Sequence, residues 1–275
     1  MIKTEMRNPV TTHIDRMTCE EMVRVMQDEN LNAAKAVGEV TDSVAEAIDK
    51  ISERMKKGGR LFYVGCGTSG RLGVLDASEC PPTYGVKPEL VVGIIAGGDR
   101  ALRVSVEGAE DDPEAGRRDL EAHSPGELDS VVGISVAGGA AYVLGAVELA
   151  KERGALTVAL TGNADSRLAN ACDISIAPDT GAEVVTGSTR MKAGSAHKMI
   201  LNMISTGVMI KLGNVYENYM INLRPTNKKL RERMIGIASN IAGISRGEAE
   251  KRLEAAGWSI PKALGSEDKR VKTDG

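Results

Sequence analysis

Five short apolar segments, separated by segments of helical periodicity, constrain the fold of this chain more than any other feature. Each is rich in β-branched residues and ends in glycine or a small polar residue. Strands that alternate with amphipathic helices are typical of a parallel sheet with helices on both faces. The sequence therefore predicts an α/β fold, a three-layer sandwich with a five-stranded, mostly parallel sheet. The predicted strands are 60–64, 90–95, 131–136, 156–161 and 174–177.

Helical segments precede and separate these strands. Between residues 18 and 57 the apolar side chains recur at helical intervals and stop at a glycine pair, which predicts two helices before the sheet. Helices are also predicted at 113–122 and 141–153. The segment 188–212 is a longer helical pattern and is largely apolar. Such a helix needs burial on several sides, so we expect it and the early helices to bury their apolar faces in a two-fold homodimer.

The last part of the chain predicts a small separate unit. Two amphipathic patterns, at 230–242 and 247–256, precede a polar end at 265–275. They predict a C-terminal helical appendage followed by a frayed terminus. We therefore expect N-terminal helices over residues 1–57, packed on a central domain over 58–224, and the appendage with its tail over 225–275.

Composition limits the partners and the compartment. The 275 residues carry 35 Lys+Arg against 38 Asp+Glu, a formal net charge of −3, and only 3% are aromatic. A basic surface and stacking platforms for bases are both missing, so no nucleic-acid partner is expected. The four cysteines are scattered, no apolar run could span a membrane, and the first residues lack the apolar core of a signal peptide. We expect a cytoplasmic protein with reduced thiols and no membrane partner.

A glycine-rich turn follows the first predicted strand. Residues 65–70, GCGTSG, match the pattern Gly-x-Gly-x-x-Gly. Dinucleotide binding would also need an acidic residue at the end of the second strand, where residues 96–98 are small and uncharged. The alternatives are a tight turn without a ligand, or an anion site in which backbone N–H groups and the hydroxyls of Thr68 and Ser69 hold a phosphate at a helix N-terminus. The anion site suits a phosphomonoester.

Two acidic segments accompany this turn. Glu79 comes just before a double proline, Pro81-Pro82, which is expected to stop a helix and to fix the direction of the carboxylate. Glu110 lies in the acidic cluster 107–112, directly before a predicted helix. This cluster is either a solvated capping run or part of a site. Two carboxylates near one phosphate-binding turn can divide the roles of general acid and general base.

One long motif resembles a known family. The run 67–83, GTSGRLGVLDASECPPT, is similar to the signature of the N-acetylmuramic acid 6-phosphate etherases, which belong to the sugar isomerase (SIS) domain superfamily. Further matches are 7–9 with 14–15, 95–98 with 107–112, 186–194 and 255–257. The resemblance covers the chain from about residue 4 to residue 257. It implies the SIS fold, and it points to a homodimer as well.

The resemblance also implies a reaction. The family implies a lyase that needs neither a metal nor a cofactor. Such an enzyme removes D-lactate from the C3 ether of N-acetylmuramic acid 6-phosphate and leaves N-acetylglucosamine 6-phosphate. With the sugar ring open, the C2 proton is α to the C1 aldehyde, so a carboxylate can abstract it; lactate then leaves C3 and water adds. By motif position, Glu110 is implied as the base at C2 and Glu79 as the acid at the departing lactate. The predicted substrate-binding residues are Gly67, Thr68, Ser69, Gly70, Arg71, Gly138 and Ser188.

One loop departs from the family pattern. After the third strand the family usually has Ser-Gly-x-Thr-Pro-Tyr, whereas residues 137–142 read AGGAAY. Losing two neutral hydrogen bonds costs about 1–3 kcal/mol of binding if nothing replaces them. Backbone N–H groups of Gly138 and Gly139, or water, can replace them. The departure leaves open a changed substrate, a phosphosugar isomerase, or a non-catalytic phosphosugar-binding regulator like the vertebrate glucokinase regulator, which is related to these etherases.

Two other groups of residues have alternative interpretations. Ser188 and its neighbours at 189–190 either cap the predicted apolar helix or contact the substrate. His13, His123 and His197 lack the spacing of metal ligands, so no metal site is expected.

Overall fold

The computed structural model describes residues 3–265 and contains a five-stranded sheet in the order β2-β1-β3-β4-β5. Its strands are β1 Leu61–Gly65, β2 Val91–Ile95, β3 Ser130–Ile134, β4 Leu156–Leu160 and β5 Ile174–Ile176. All four strand pairings are parallel. Each strand lies within two residues of its predicted bounds. The predicted parallel sheet is therefore confirmed.

The described residues form ten α-helices. They are α1 Cys19–Gly38, α2 Thr41–Met55, α3 Gly67–Tyr84, α4 Pro113–Glu121, α5 Ala141–Glu152, α6 Arg167–Ala171, α7 Lys192–Lys211, α8 Lys228–Ala242, α9 Arg246–Ala255 and α10 Ile260–Ala263. A hairpin of β6 Val215–Tyr216 and β7 Tyr219–Met220 separates α7 from α8. The sequence pattern does not indicate this hairpin, α6 or α10, because segments of two to five residues are too short to show a period.

Helices cover both faces of the sheet, because successive side chains of a strand point to opposite sides. In β1, Leu61 and Tyr63 join one apolar cluster, whereas Phe62 and Val64 join the other, and all four are fully buried. Helices α2, α3 and α7 complete the first cluster, and α4, α5 and α6 complete the second. The structure is the predicted three-layer sandwich.

Helix α7 lies in the middle of the first helical layer, and this corrects two expectations. It begins at Lys192 rather than at residue 188, because residues 188–191 form turns. Its apolar side chains are mostly buried against α1, α2 and α3, so their number alone does not require a second subunit. Met203 and Ile210 nevertheless remain 41% and 50% exposed. No helix in the described part of the chain is long and apolar enough to cross a membrane.

Helix α3 continues through Pro81 and Pro82 and ends at Tyr84, so the expected stop at the double proline is wrong. Pro81 and Pro82 lack the N–H groups that would bond to the carbonyls of Ala77 and Ser78, but only two helical residues follow them, so the loss is confined to the end of the helix. The helix ends at Gly85 instead, which has a left-handed φ of 68° and donates its N–H to the Pro81 carbonyl. Glu79 consequently lies inside the helix and not at its end.

Helices α8, α9 and α10 form a small cluster of their own. Their apolar side chains pack on one another and on Ile221 and Leu223, which precede α8. The predicted helical appendage is thus confirmed, whereas the domain boundaries at 57 and 224 stay predictions. The predicted frayed end lies almost entirely at 266–275, outside the described residues.

Two glycines allow α4 and α5 to pack in direct backbone contact. A Cβ atom on Gly116 would lie 1.9 Å from the Tyr142 carbonyl oxygen, and one on Gly145 would lie 2.1 Å from the Pro113 carbonyl oxygen. The contact brings the Tyr142 N–H to the Glu110 carbonyl oxygen, with 3.0 Å between N and O. The helix pair therefore fixes the backbone of Glu110 beside the sheet.

Candidate active site

The carboxyl ends of β1 and β3 are where this topology places a ligand. The chain leaves β1 into α3 on one face of the sheet and leaves β3 into α5 on the other, which opens a crevice between the two strands. A cavity of about 340 Å³ lies there, and we name it the anion cavity. Its walls are the turn at 66–69, the loop at 134–140 and residues of the segment 187–194, together with Glu5 and Glu110.

The start of α3 supplies hydrogen-bond donors to the anion cavity. The first N–H groups of a helix have no intrahelical acceptor, and within residues 3–265 no protein group accepts from the N–H of Gly67, Thr68 or Ser69. All three residues line the cavity, as predicted. Gly67 has a φ of 51°, which glycine adopts without strain. Free N–H groups and the positive end of the helix dipole make this turn suitable for a phosphate dianion.

Two glycines predicted to contact the substrate face the protein interior instead. A Cβ atom on Gly70 would lie 2.6 Å from the Gly65 carbonyl oxygen, so this glycine allows α3 to approach β1. The Gly138 N–H donates to the carbonyl of Ser135 at 3.0 Å, and a Cβ atom there would lie 2.2 Å from Ser166 Oγ. Their backbones are engaged in packing and internal bonds, and the substrate contacts of Gly70 and Gly138 stay predictions.

A hydroxyl that the sequence analysis missed stands near the altered loop. Ser135 follows β3, lines the anion cavity and is only 8% exposed. Its Oγ accepts the Gly138 N–H at 3.2 Å, which leaves the Ser135 hydroxyl proton free to donate. Ser135 stands two residues before Ala137, one of the positions that lost a hydroxyl. The predicted strand 131–136 includes Ser135. Strand β3 ends at Ile134, so Ser135 instead lies in the loop that follows the strand.

Some residues of the acidic cluster 107–112 act as a capping run, and others belong to the site. Asp112 accepts the N–H of Ala115 at 2.9 Å and caps α4, as a capping run would. Glu110 instead lines the anion cavity, and its side chain is exposed. Glu110 and the free N–H groups of Gly67 to Ser69 thus share one cavity, as the sequence predicted.

Arg71 contacts protein carbonyls in this structure. Its Nη2 donates to the Ala101 carbonyl at 2.7 Å, and its Nε donates to the Leu102 carbonyl at 3.1 Å. These bonds tie the first turn of α3 to the 3-10 turn Asp99–Leu102, which leads into the segment that carries Glu110. The guanidinium therefore bonds within the chain, and the predicted contact of Arg71 with the substrate stays a prediction.

We expect the Arg71→Ala variant to loosen residues 99–110. Loss of two hydrogen bonds from a charged donor should favour local opening by on the order of tenfold. Trypsin cleaves after arginine, and Arg100 and Arg103 lie in this segment. Cleavage at these two sites should accelerate accordingly, as followed by mass spectrometry. Arg24→Ala, which removes an exposed arginine on α1, is the matched control. Unchanged cleavage in Arg71→Ala would show that other contacts hold the segment.

The segment before α7 contributes through the neighbours of Ser188. Gly187 and Thr189 line the anion cavity, whereas Ser188 does not. Ser188 also does not cap α7, because the fully buried Glu183 does so: its two oxygens accept the N–H groups of Lys192 and Ala193, each at 3.0 Å. Ser188 therefore does not cap α7, its predicted contact with the substrate stays a prediction, and Thr189 lies in the cavity wall.

A buried ion pair holds the start of α7. Lys192 Nζ bonds to Glu29 of α1 and donates to the Ala182 carbonyl at 2.9 Å, while Asn8 Nδ2 donates to the same Glu29 carboxylate at 2.8 Å. Burial opposes the charge of Glu29, but the bonds and charge of Lys192, with Asn32 and Asn8, lower its pKa. Removing one member of such a pair leaves a buried charge unpaired. The pair therefore fixes the wall that carries Gly187 and Thr189.

Glu79 lies far from the other predicted residues of its own chain. It is exposed and belongs to the same continuous helix as Ser69. Ten residues of α-helix at 1.5 Å each place the two Cα atoms about 15 Å apart. The C3 oxygen of a hexose 6-phosphate is only a few bonds from its phosphate, well within that distance. The structure thus brings Glu110 to the phosphate-binding turn, but it does not bring Glu79 there within one chain.

The Cys66 thiol in the cavity wall and the His197 imidazole of α7 are both uncharged at neutral pH. Burial, followed by the charges of Glu110 and Asp111, raises the pKa of the Cys66 thiol to about 12. Burial lowers the pKa of the fully buried His197 to about 4. Within residues 3–265, no group of three His, Cys, Asp or Glu side chains is placed to hold a metal ion.

Comparisons with known proteins identify the class. Residues 43–151 match the family model of the glucokinase regulatory protein N-terminal SIS domain, and residues 120–208 match that of the SIS domain. The phosphoheptose isomerase from Francisella tularensis has a TM-score of 0.56 and 18% identity, over 70% of this chain and 100% of that chain. That from Neisseria gonorrhoeae has a TM-score of 0.51 and 20% identity, over 70% and 98%. The fold is that of the SIS domain proteins.

Closer relatives identify the family. The N-acetylmuramic acid 6-phosphate etherase of Caldanaerobacter subterraneus subsp. tengcongensis is 53% identical over 95% of this chain and 85% of its own length. The protein of the same name from Clostridium beijerinckii is 50% identical over 99% of this chain and 92% of its own length. The chain belongs to the N-acetylmuramic acid 6-phosphate etherase family, so the predicted family is confirmed.

Proposed function

We propose that this protein is a carbon–oxygen lyase that cleaves the C3 lactyl ether of N-acetylmuramic acid 6-phosphate to give N-acetylglucosamine 6-phosphate and D-lactate. The observation that carries the proposal is the anion cavity, where the Glu110 carboxylate faces the same space as the free N–H groups at the start of α3. Relatives that are 50% and 53% identical carry the name of this activity. We assign it a role in amino sugar recycling from the cell wall.

The proposed reaction is an elimination followed by hydration. Glu110 removes the C2 proton of the open-chain sugar, and the electron pair is delocalised into the C1 aldehyde. The C3–O bond then breaks, and Glu79 protonates the departing lactate oxygen. Water adds to C3 of the unsaturated aldehyde, and a proton returns to C2. A general acid or base at each step typically contributes about 10²–10⁴ in rate.

The phosphate anchor of this proposal is the turn at 67–69. The backbone N–H groups there, with the hydroxyls of Thr68 and Ser69, are assigned to the 6-phosphate. Ser135 and Thr189 are assigned as additional hydroxyl donors on the opposite walls. They offset the hydroxyls that the loop at 137–141 lacks, so the altered loop is compatible with the family's substrate.

We further propose a homodimer in which Glu79 of the partner subunit completes each site. The distance along α3 supports this arrangement, because Glu79 cannot reach the phosphate turn of its own chain. An exposed apolar surface supports it as well: Leu75, one helical turn before Glu79, is 45% exposed, and Met203 and Ile210 are exposed on the adjoining α7. A second copy seated on this surface would bury these side chains beside Glu79.

The four cysteines are free thiols, which supports a reducing compartment, the cytoplasm.

The non-catalytic alternative is not favoured. The family model of the glucokinase regulatory protein matches residues 43–151, but the relatives compared above over nearly the whole chain are named as etherases. Both proposed catalytic carboxylates, Glu79 and Glu110, are also present in this chain.

A direct assay tests the proposal. Incubation with N-acetylmuramic acid 6-phosphate should release D-lactate, as measured with D-lactate dehydrogenase. Because the phosphate makes several charge-assisted hydrogen bonds, the unphosphorylated sugar should have a kcat/KM lower by about a hundredfold or more. Binding of the phosphosugar without lactate release would instead indicate a sensor. Equal turnover of the two sugars would show that the turn at 67–69 does not hold the phosphate.

A further inference from the structure

A second cavity adjoins the anion cavity, and the proposed reaction gives it no role so far. It has a volume of about 170 Å³, and we name it the side cavity. The two cavities share Cys66, Gly67 and Glu110, so the proposed base stands at their junction. The volume corresponds to about six molecules of liquid water. The side cavity can therefore hold a small substituent of a sugar whose carbon chain occupies the anion cavity.

The side cavity is lined by eleven residues, some of them polar or charged. Four of them are small aliphatic side chains, Ala96, Ala101, Val106 and Ala109. Two of these, Ala96 and Ala109, also pack on the second core cluster, which fixes that side of the cavity. Small apolar walls favour a methyl-sized group and leave little room for longer chains.

The charges of the side cavity disfavour an anion. The carboxylates of Glu107 and Glu110 both line it. Arg71 is the only cationic side chain in the described wall, and its guanidinium donates to the carbonyls of Ala101 and Leu102. A carboxylate bound here would thus be repelled by Glu107 and Glu110, while Arg71 is engaged with backbone carbonyls. This repulsion would cost binding free energy. An uncharged group meets no such cost.

The chemistry of the sugar indicates which substituent enters. The proposed base abstracts the proton on C2, so C2 of the open-chain sugar must lie next to the Glu110 carboxylate. C2 carries the acetamido group, which is uncharged and ends in a methyl group. The lactyl ether is on C3, one carbon further away, and ends in a carboxylate.

We infer that the side cavity binds the uncharged acyl group on the C2 nitrogen of the phosphosugar, and that the lactyl carboxylate stays outside it. The inference rests on the proposed function, because Glu110 as the C2 base sets the position of the sugar. It makes residues 105–109 the part of the chain that selects the acyl group.

Binding of product analogues tests this inference without any need for catalysis. The ligands are N-formyl-, N-acetyl- and N-butyryl-glucosamine 6-phosphate, measured by isothermal titration calorimetry on the full chain. Adding or removing one or two methylenes of a ligand in a fitted pocket changes its affinity by about 10–200-fold. We expect N-butyryl to bind the unmodified protein at least about tenfold more weakly than N-acetyl.

Two variants on the exposed segment change the size of the side cavity. Ser105→Leu fills it and should weaken the N-acetyl ligand by about tenfold, while the N-formyl ligand should lose less than about threefold. Val106→Ala enlarges it and should recover binding of the N-butyryl ligand. Val104→Leu is the matched control, because Val104 is 54% exposed and does not line the cavity. Thermal melts confirm that each variant is folded.

The outcomes distinguish failure of the acyl-site inference from failure of the proposed etherase activity. If Ser105→Leu and Val106→Ala leave the order and ratio of the acyl series unchanged, the side cavity does not bind the acyl group. If the acyl dependence holds but the unmodified protein releases no D-lactate, the proposed etherase activity fails and the acyl site stands.

Discussion

The Glu110→Gln variant should release D-lactate about 10²–10⁴ times more slowly than the unmodified protein. The amide cannot accept the C2 proton, so the variant should also lose exchange of the C2 hydrogen of N-acetylglucosamine 6-phosphate in D₂O. The carboxylate is exposed, and the backbone of Glu110 is held through its carbonyl, so the substitution should leave the fold intact. Proton NMR measures the exchange, and coupled detection of D-lactate measures the turnover.

The matched control for this experiment is Glu114→Gln, which removes an exposed carboxylate in the first turn of α4 without touching either cavity. Its activity should equal that of the unmodified protein. The Glu79→Gln variant separates the two proposed roles: it should block lactate release and retain C2 exchange. If Glu79→Gln abolishes the exchange and Glu110→Gln preserves it, the roles of base and acid are reversed.

The second large effect is expected from mixing the two inactive variants. A mixed dimer of one Glu79→Gln chain and one Glu110→Gln chain contains one site with both carboxylates, provided that Glu79 acts across the interface. Co-expression with two different affinity tags allows the mixed dimer to be purified. It should recover about half of the activity of the unmodified dimer, since one of its two sites is intact. Each variant dimer alone should stay at about 1% or less.

Two results would contradict this arrangement. A mixed dimer as inactive as its parents would mean that Glu79 and Glu110 serve the same site from one chain. Failure to recover any mixed species, together with a monomer mass by light scattering, would mean that the chain does not dimerise. The variant Leu75→Asp, placed on the exposed surface of α3, should weaken the dimer in the same measurement if that surface is the interface.

The architecture could be predicted because the relevant signals are local. Strands such as β1 are buried on both faces, so each appears as a continuous apolar run that ends in glycine. Gly67, Ser69 and Glu110 could be grouped because each follows the carboxyl end of a neighbouring strand. These inferences need only the order of elements and the fixed direction of a parallel sheet.

The rest of the site depends on contacts between distant parts of the chain. Nothing in the local sequence links Arg71 to the Ala101 carbonyl, or Glu183 to the N–H groups that begin α7. Glu5 reaches the anion cavity because the Thr4 carbonyl accepts the N–H of Gly187, a contact across most of the chain. The error at the double proline has a different cause: a proline costs the helix its own N–H hydrogen bond, but in α3 the chain keeps helical geometry for two more residues until Gly85 ends it.

The continuity of α3 also limits how the chain can change in length. If one residue were inserted between Ser69 and Glu79, the helix would turn Glu79 by about 100° and shift it by about 1.5 Å. The phosphate turn would keep its place, but the carboxylate would point to a different neighbour. Helix α3 thus fixes the distance and the relative direction of Ser69 and Glu79. Insertions or deletions are compatible with the proposed reaction only outside residues 69–79.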